Sequence, residues 1–231
     1  AILIQKAKLS PIMKLKNSFI VLMILFTIYS CIKLDDHSEE LILNPKTAEL
    51  HIGQKVRFGT NKDDVEWESK NKFIGTISSN GTFNAKHIGK TKVIAQYGDE
   101  KQEAEVIVIP QVTGFPEPII KFGVSKNEII ELEKRKLLAN NPVTLIYDSE
   151  SADVETMYYL FEGNRCTYAV IRYKDMDKSK LDDLLTFYNE RYEYYGKDKA
   201  DQYFVDQRKK VIVAVSTDEV INARYTAYKS K

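Results

Sequence analysis

The sequence has 231 residues, of which 43% are hydrophobic and 29% are charged. This length allows one large domain or two small ones. Residues 1–30 carry four Lys and no acidic residue, whereas the rest of the chain carries 30 basic and 33 acidic side chains. Nucleic-acid-binding proteins normally have a basic domain or stripe, so this balance argues against nucleic acid as a partner.

The first pattern in chain order is that of a secretory signal. Met13 begins a short basic segment, residues 19–29 are apolar apart from Thr27, and a small residue precedes Cys31. A membrane-spanning helix needs roughly 20 apolar residues, so this shorter run predicts a cleaved signal peptide over residues 13–30. We expect residues 1–12 to be an upstream extension with no part in the fold.

The end of this signal resembles the lipobox of bacterial lipoproteins, in the run Ile28-Tyr29-Ser30-Cys31. The resemblance implies that Cys31 carries a diacylglyceryl lipid and anchors the mature protein to the outer membrane. Tyr29 departs from the small residue that is usual there, and looser boxes of this kind are similar to those of Bacteroidetes lipoproteins. Residues 31–40 resemble the acidic tether of their surface-exported members. The alternative is an ordinary secretory signal followed by an unrelated cysteine.

Strand patterns dominate residues 41–109. Val93, Ala95 and Tyr97 alternate with polar residues, as apolar residues do elsewhere in this stretch, and glycines recur at turn-like spacing. Asn80-Gly81 is the strongest hairpin signal, because both central positions of a type I′ turn need a positive φ. Short strands at regular spacing predict a small all-β sandwich.

Three stretches of this region resemble the group 2 bacterial Ig-like domain: Trp67-Glu68-Ser69, Gly75–Ala85 and Gly89–Tyr97. The resemblance implies an Ig-like sandwich that serves as a spacer or adhesive module of a cell-surface protein and has no active site. We expect Trp67 to lie in the core, because an indole on the alternating face of a central strand packs inward.

A second domain over residues 119–231 follows a Pro/Gly connector of residues 110–118, where prolines end the strand pattern. The capping-box pattern Ser125–Glu128 predicts a helix that runs to about Leu138. Another helix is predicted after Asp177, with one apolar face from Leu181 to Tyr195.

Strand patterns follow each predicted helix, over residues 143–147, 156–161, 167–173, 202–206, 211–215 and 220–228. They predict an α+β domain of two α-β-β-β repeats, with one antiparallel sheet covered by two helices. The first repeat is weakly similar to the repeats of the β-lactamase-inhibitor protein and of the small lipoprotein of the outer-membrane barrel-assembly machinery. That similarity implies a protein-binding fold.

Catalytic patterns are missing from the sequence of the second domain. The three histidines, His37, His51 and His87, all precede it, which excludes a Cys–His or Ser–His–Asp arrangement within it. The isolated histidines do not suggest a metal site, and the chain has no phosphate-loop or zinc motif. We therefore expect no catalytic residue, no cofactor and no metal.

Two other groups in the second domain could carry chemistry. The acid pairs Asp182-Asp183 and Glu190/Glu193 could be imagined as the two carboxylates of a glycosidase, but we expect them on a solvated helix face. Cys166 is expected to be a small buried apolar residue in a strand, with a reactive thiol as the alternative.

Tyrosines mark the second domain, which holds 12 of the 14 in the chain. Tyr158 and Tyr159 are neighbours in a predicted strand, so their rings must point to opposite faces of the sheet. Exposed tyrosines are frequent recognition residues, whereas β-propensity alone is the alternative explanation. The candidate ligand-binding residues are Tyr158, Tyr159, Tyr168, Tyr203 and Tyr225.

These patterns favour a non-enzymatic cell-surface lipoprotein, in which an Ig-like stalk presents a domain that binds a protein or a glycan. The second hypothesis is an envelope assembly or structural lipoprotein that faces the periplasm. The third is a hydrolase with an unrecognised acid pair.

Overall fold

The computed structural model describes residues 39–206 and 208–228. The chain from Leu41 onward forms one compact unit, and this unit contains two hydrophobic cores. The predictions for the signal peptide, for Cys31 as lipid acceptor and for most of the acidic tether fall on residues 1–38, which lie outside the described residues. They remain predictions.

The first core lies within a β-sandwich built from nine strands. The larger sheet has the order β2-β9-β8-β5, the smaller has the order β3-β7-β6, and β1 pairs with β4. All pairs are antiparallel except β2 with β9. The strands are β1 Leu43–Asn44, β2 Thr47–Leu50, β3 Lys55–Arg57, β4 Gly59–Thr60, β5 Glu66–Ser69, β6 Gly75–Ile77, β7 Thr82–Ala85, β8 Gly89–Tyr97 and β9 Glu100–Val108.

The alternation seen in the sequence fills this core except at Tyr97, which is 43% exposed. Val93 and Ala95 of β8 are fully buried, as is Phe83 of β7 from the facing sheet. Trp67 differs from its prediction, because it is only partly buried and packs against the core from its edge. Its indole lies so close to Gly81 that a Cβ there would come within 2.9 Å of the ring, so the tryptophan covers a turn rather than filling the centre.

The hairpin predicted at Asn80-Gly81 is present and joins β6 to β7. Its turn type differs from the prediction, since Gly81 has φ +79° whereas Asn80 is not among the residues with positive φ. The Gly81 N–H donates to the Ser78 carbonyl at 3.0 Å. This geometry is that of a type I turn followed by a left-handed glycine, the usual three-residue hairpin loop.

The second core lies between two helices and one eight-stranded antiparallel sheet of order β10-β11-β12-β13-β17-β16-β15-β14. Each helix is followed in the chain by four strands that form one half of the sheet, and β13 and β17 join the halves at the centre. The elements are α1 Lys126–Leu132, β10 Leu137–Asn141, β11 Thr144–Tyr147, β12 Val154–Glu162, β13 Arg165–Tyr173, α2 Lys178–Arg191, β14 Glu193–Asp198, β15 Asp201–Asp206, β16 Val211–Ser216 and β17 Asn222–Ala227.

The prediction of three strands per repeat is wrong, because both helices end earlier than expected. α1 ends at Leu132, and β10 begins at Leu137, before the predicted end of the helix at about Leu138. α2 ends at Arg191, so that Tyr195 and Gly196 belong to β14. Two strands were therefore read as helix ends, and the domain is richer in strand than an α+β description suggests. The starts were predicted correctly, since Ser125 and Asp177 accept hydrogen bonds from Glu128 N and Lys180 N.

One row of side chains across the sheet forms the centre of the second core. Cross-strand pairing places six residues side by side on the face that the helices cover. All six are fully buried: Leu145, Tyr159, Ala169, Tyr225, Val213 and Phe204. Ile129 of α1 and Leu184 of α2 pack against this core. Neither described helix is long and apolar enough to cross a membrane.

The connector between the two cores is anchored to the second domain. Phe115 is buried in the second core, where its ring meets Tyr173 and Phe187 edge-on. The carboxylate of Glu190 on α2 accepts hydrogen bonds from the backbone N–H groups of Gln111 at 2.7 Å and Val112 at 3.3 Å. These contacts hold the connector against the second domain, which its prolines alone would not do.

Candidate ligand-binding surface

The sheet of the second domain has one face without a described helix, which we call the outer face. Strand pairing places a row of side chains across its middle: Tyr158, Val170, Arg224, Ala214 and Tyr203. Neighbouring strands lie about 4.8 Å apart, so the two tyrosines at the ends of this row are roughly 19 Å from each other. Because the side chain of Ala214 is small, the surface is depressed beside Tyr203.

A second row on the outer face runs beside the first and contains Leu160, Tyr168, Thr226, Ile212 and Val205. All members of the two rows except Val205 line a groove of about 430 Å³. Tyr168 is 40% exposed, and Tyr158 and Tyr203 are half-buried. The groove therefore has Arg224 and Thr226 at its centre, apolar side chains on both sides of them and tyrosine rings toward both ends.

An adjoining pocket of about 350 Å³ lies nearer the β14 edge and shares Tyr203 and Ile212 with the groove. A bulge between Tyr194 and Gly196 leaves Tyr195 as an extra residue beside it. Tyr195 is 78% exposed and lines the pocket. A side chain at Gly196 would meet no atom within 4 Å, so the glycine leaves open space where its neighbours carry rings.

Charged groups on the outer face are largely paired with each other. Arg224 binds Asp201, and Arg172 lies 2.7 Å from Glu155. Exposed ion pairs of this kind contribute little to stability. Arg224, which lies in the middle of the groove, is thus paired with Asp201.

The structure brings three of the five candidate tyrosines together and separates the other two from them. Tyr158, Tyr168 and Tyr203 line the groove, whereas Tyr159 and Tyr225 are fully buried under the helices. The opposite orientation of Tyr158 and Tyr159 is as predicted. Tyr159 and Tyr225 cannot present a ring to a ligand at the surface, because their side chains belong to the core.

Both buried tyrosines have internal hydrogen-bond partners. The Tyr159 hydroxyl donates to Glu133 at 2.6 Å and accepts from the Ile119 N–H at 2.8 Å. Burial, reinforced by the Glu133 carboxylate, raises the pKa of Tyr159 above its ordinary value. The hydroxyls of Tyr225, Tyr188 and Tyr173 form a chain with two 2.8 Å contacts. These phenols stay protonated and hold the helices to the sheet.

The acidic residues considered for catalysis do not form a pair. Asp182, Asp183 and Glu193 are exposed, as predicted. Glu190 differs from its prediction, because its side chain is only 3% exposed and its oxygens are occupied by the connector amides. It is a structural anchor. Within residues 39–206 and 208–228, no cluster of three or more His, Cys, Asp or Glu side chains could hold a metal ion.

Cys166 is buried, as predicted, with 1% of its surface exposed. Burial raises the pKa of its thiol to about 11. Because the thiolate is the nucleophilic form, this cysteine is poorly reactive at neutral pH. Sequence reasoning did not identify Tyr195 or Tyr228, which line the pocket, since Tyr195 was assigned to a helix.

Comparison with known proteins identifies the sandwich. Residues 44–108 match the bacterial Ig-like domain, group 2. The resemblance noted in the sequence is thereby confirmed for this domain. No curated protein matches the chain significantly.

Solved structures add only distant matches. The chain is similar to S-layer protein SbsC domains 5–6 at 12% identity and a TM-score of 0.28, over 84% of this chain and 86% of that chain. SbsC domains 4–9 match with the same identity and TM-score, over 84% of this chain and 27% of that chain. At this TM-score the likeness supports no argument about fold or function.

Proposed function

We propose that this protein is a non-enzymatic lipoprotein of the bacterial cell surface, whose second domain binds a protein or a glycan through the outer face of its sheet. The Ig-like domain holds the binding domain away from the membrane, and lipid on Cys31 provides the anchor. The observation that carries the proposal is the groove lined by Tyr158, Tyr168 and Tyr203 on the face that no described helix covers.

The composition of this groove supports binding rather than chemistry. Tyrosine rings combine apolar area with a hydroxyl and lose little conformational entropy on binding, which is why they are enriched in recognition surfaces. The apolar side chains Leu160, Val170 and Ile212 of the groove can be desolvated by a ligand, and the adjoining pocket can accommodate a bulky group. The acidic residues do not converge on this face as a catalytic pair.

Binding assays with surface variants test the proposal. The protein is used as bait against envelope proteins and on a glycan array, and Tyr158→Ala and Tyr203→Ala are compared with wild type. Because few residues dominate binding energy, each substitution is expected to weaken capture by about tenfold or more. Tyr97→Ala is the matched control, since Tyr97 is 43% exposed on the Ig-like domain and should have no effect.

Two results would contradict the proposal. One is a ligand whose binding is unchanged in both groove variants while they remain folded. The other is turnover of a bound glycan or peptide by the wild-type protein, which would favour the hydrolase hypothesis. Protease treatment of intact cells distinguishes a surface orientation from a periplasmic one.

A further inference from the structure

A cleft of about 420 Å³ lies where the Ig-like domain meets the second domain. The Ig-like side contributes the ends of β8 and β9, including Lys90, and the second domain contributes α2, the connector and the turn before β16. The Ile88 N–H donates to the Glu190 carbonyl at 2.9 Å beside it. Domain interfaces are preferred positions for ligand sites, and this one is lined by cations.

Arg208 is held rigidly at this cleft. Its Nε and Nη2 donate to the two carboxylate oxygens of Asp206 at 3.1 and 3.0 Å, and its guanidinium lies 3.7 Å from the ring centre of Phe73 in the Ig-like domain. Burial alone would raise the pKa of Asp206, but hydrogen bonds from Arg208 and from the Lys209 N–H lower it below its ordinary value. No hydrogen bond of Arg208 Nη1 is found within the described part of the chain, so that edge of the guanidinium can still donate.

Arg191 is fixed in a similar way by the end of α2. Its Nη1 donates to the Phe187 carbonyl at 2.9 Å, and its guanidinium lies 3.6 Å from the Phe187 ring centre. The same nitrogen lies 3.4 Å from Glu190, and Nε lies 3.9 Å from Glu117. A guanidinium that is already held by stacking loses little freedom when it binds a further group.

Two lysines complete the lining and are less committed to partners. Lys209 lies 5.1 Å from the Tyr192 ring centre and has no ion pair within residues 39–206 and 208–228. Lys90 lies 3.8 Å from Glu105, with both side chains well exposed, a contact of little strength. The cleft lining holds four cationic side chains and the carboxylate of Glu117, which also accepts a hydrogen bond from the Tyr192 hydroxyl. Three further carboxylates, those of Asp206, Glu190 and Glu105, contact these cations from outside the lining.

We propose that this cleft is a binding site for a tetrahedral oxyanion, a phosphate or sulfate group, free or as an ester on a larger molecule. Two guanidinium groups held by stacking and two weakly paired ammonium groups suit such a ligand, because Arg presents several donors in fixed geometry and Lys adds a point charge. Lys90 belongs to one domain and the other cations to the second, so the bound oxyanion stabilises the junction between them.

If these cations served only to stabilise the fold, their substitution would have a different effect. Arg208 already joins the domains through Phe73, and Arg191 already binds α2 and the connector. Neither role requires Lys90 or Lys209, which form no strong ion pair there. Neutralising either lysine should therefore leave the protein without oxyanion as stable as wild type, and reduce only its response to the anion.

The test is isothermal titration and thermal unfolding of the protein with sodium phosphate, sodium sulfate and sodium acetate, at equal ionic strength and pH. We expect one site for phosphate or sulfate, and a rise in melting temperature of roughly 5 °C at an anion concentration about 100 times the Kd. Lys90→Gln and Lys209→Gln should each weaken binding by about tenfold or more. Lys210→Gln is the matched control, since Lys210 is exposed and does not line the cleft.

Three results would overturn the proposal. The first is a wild-type protein that shows no saturable binding of phosphate or sulfate. The second is equal stabilisation by acetate, which would show general screening rather than a site. The third is an equal loss of binding in Lys210→Gln. Esters of phosphate and of sulfate, presented on vesicles and on oligosaccharides respectively, then distinguish a lipid source of the group from a glycan source.

Discussion

Replacing Glu190 by Ala should destabilise the protein more than any other single acidic substitution on α2. The Glu190 side chain is 3% exposed and accepts hydrogen bonds from the N–H groups of Gln111 and Val112. Its removal leaves two part-buried backbone donors and the nearly buried Arg191 guanidinium without this partner. An unsatisfied buried group costs about 1–3 kcal/mol. Because water can partly replace the carboxylate at the part-buried amides of Gln111 and Val112, we expect a loss of roughly 2–3 kcal/mol in the free energy of unfolding.

Urea unfolding followed by circular dichroism measures this loss. Hydrogen exchange of the Gln111 amide gives a local readout, since its protection depends on the same carboxylate. Glu193→Ala is the matched control, because Glu193 is exposed just beyond the same helix and its loss should change stability by no more than about 0.5 kcal/mol. The reasoning is refuted if Glu190→Ala unfolds like Glu193→Ala, or if exchange at Gln111 is unchanged.

Three further predictions concern the turn of the Ig-like domain, a buried aspartate and the anchor. Gly81→Ala should lower the free energy of unfolding by roughly 2–4 kcal/mol, because the new residue would have a positive φ and its Cβ would overlap the Phe58 carbonyl. Gly98→Ala is the control in the same thermal melts. Its φ is also positive but its surroundings are open, so it should lower the free energy of unfolding by about 1 kcal/mol. The lowered pKa of Asp206 contributes stability that is present above the ordinary Asp pKa and is lost as pH falls through the folded value. Unfolding of Asp206→Asn measured from about pH 6 to about pH 3 should therefore show a shallower acid dependence than wild type. Cys31→Ser should move the expressed precursor from the detergent phase to the aqueous phase, and unchanged partitioning would contradict lipidation.

Much of the fold could be predicted because it depends on local chemistry. The strands of the Ig-like domain follow from alternation and from turn glycines, and six of the eight strands of the second domain were found within about two residues of their bounds. Ser125 and Asp177 define helix starts because a side-chain oxygen can satisfy a free N–H without help from the rest of the fold. The separation of Tyr158 from Tyr159 follows from the period of a strand alone.

Tertiary structure decided the features that depend on partners distant in sequence. Residues 137–141 and 193–198 have patterns that suit a helix end, and pairing with β11 and β15 makes them strands. The sequence could not tell which tyrosines the helices cover, because burial of Tyr159 and Tyr225 depends on which sheet face the helices occupy. Nor could it place Glu190 beneath a connector 79 residues earlier in the chain. A carboxylate becomes an anchor or a solvated charge according to what folds over it, and only the assembled structure determines that.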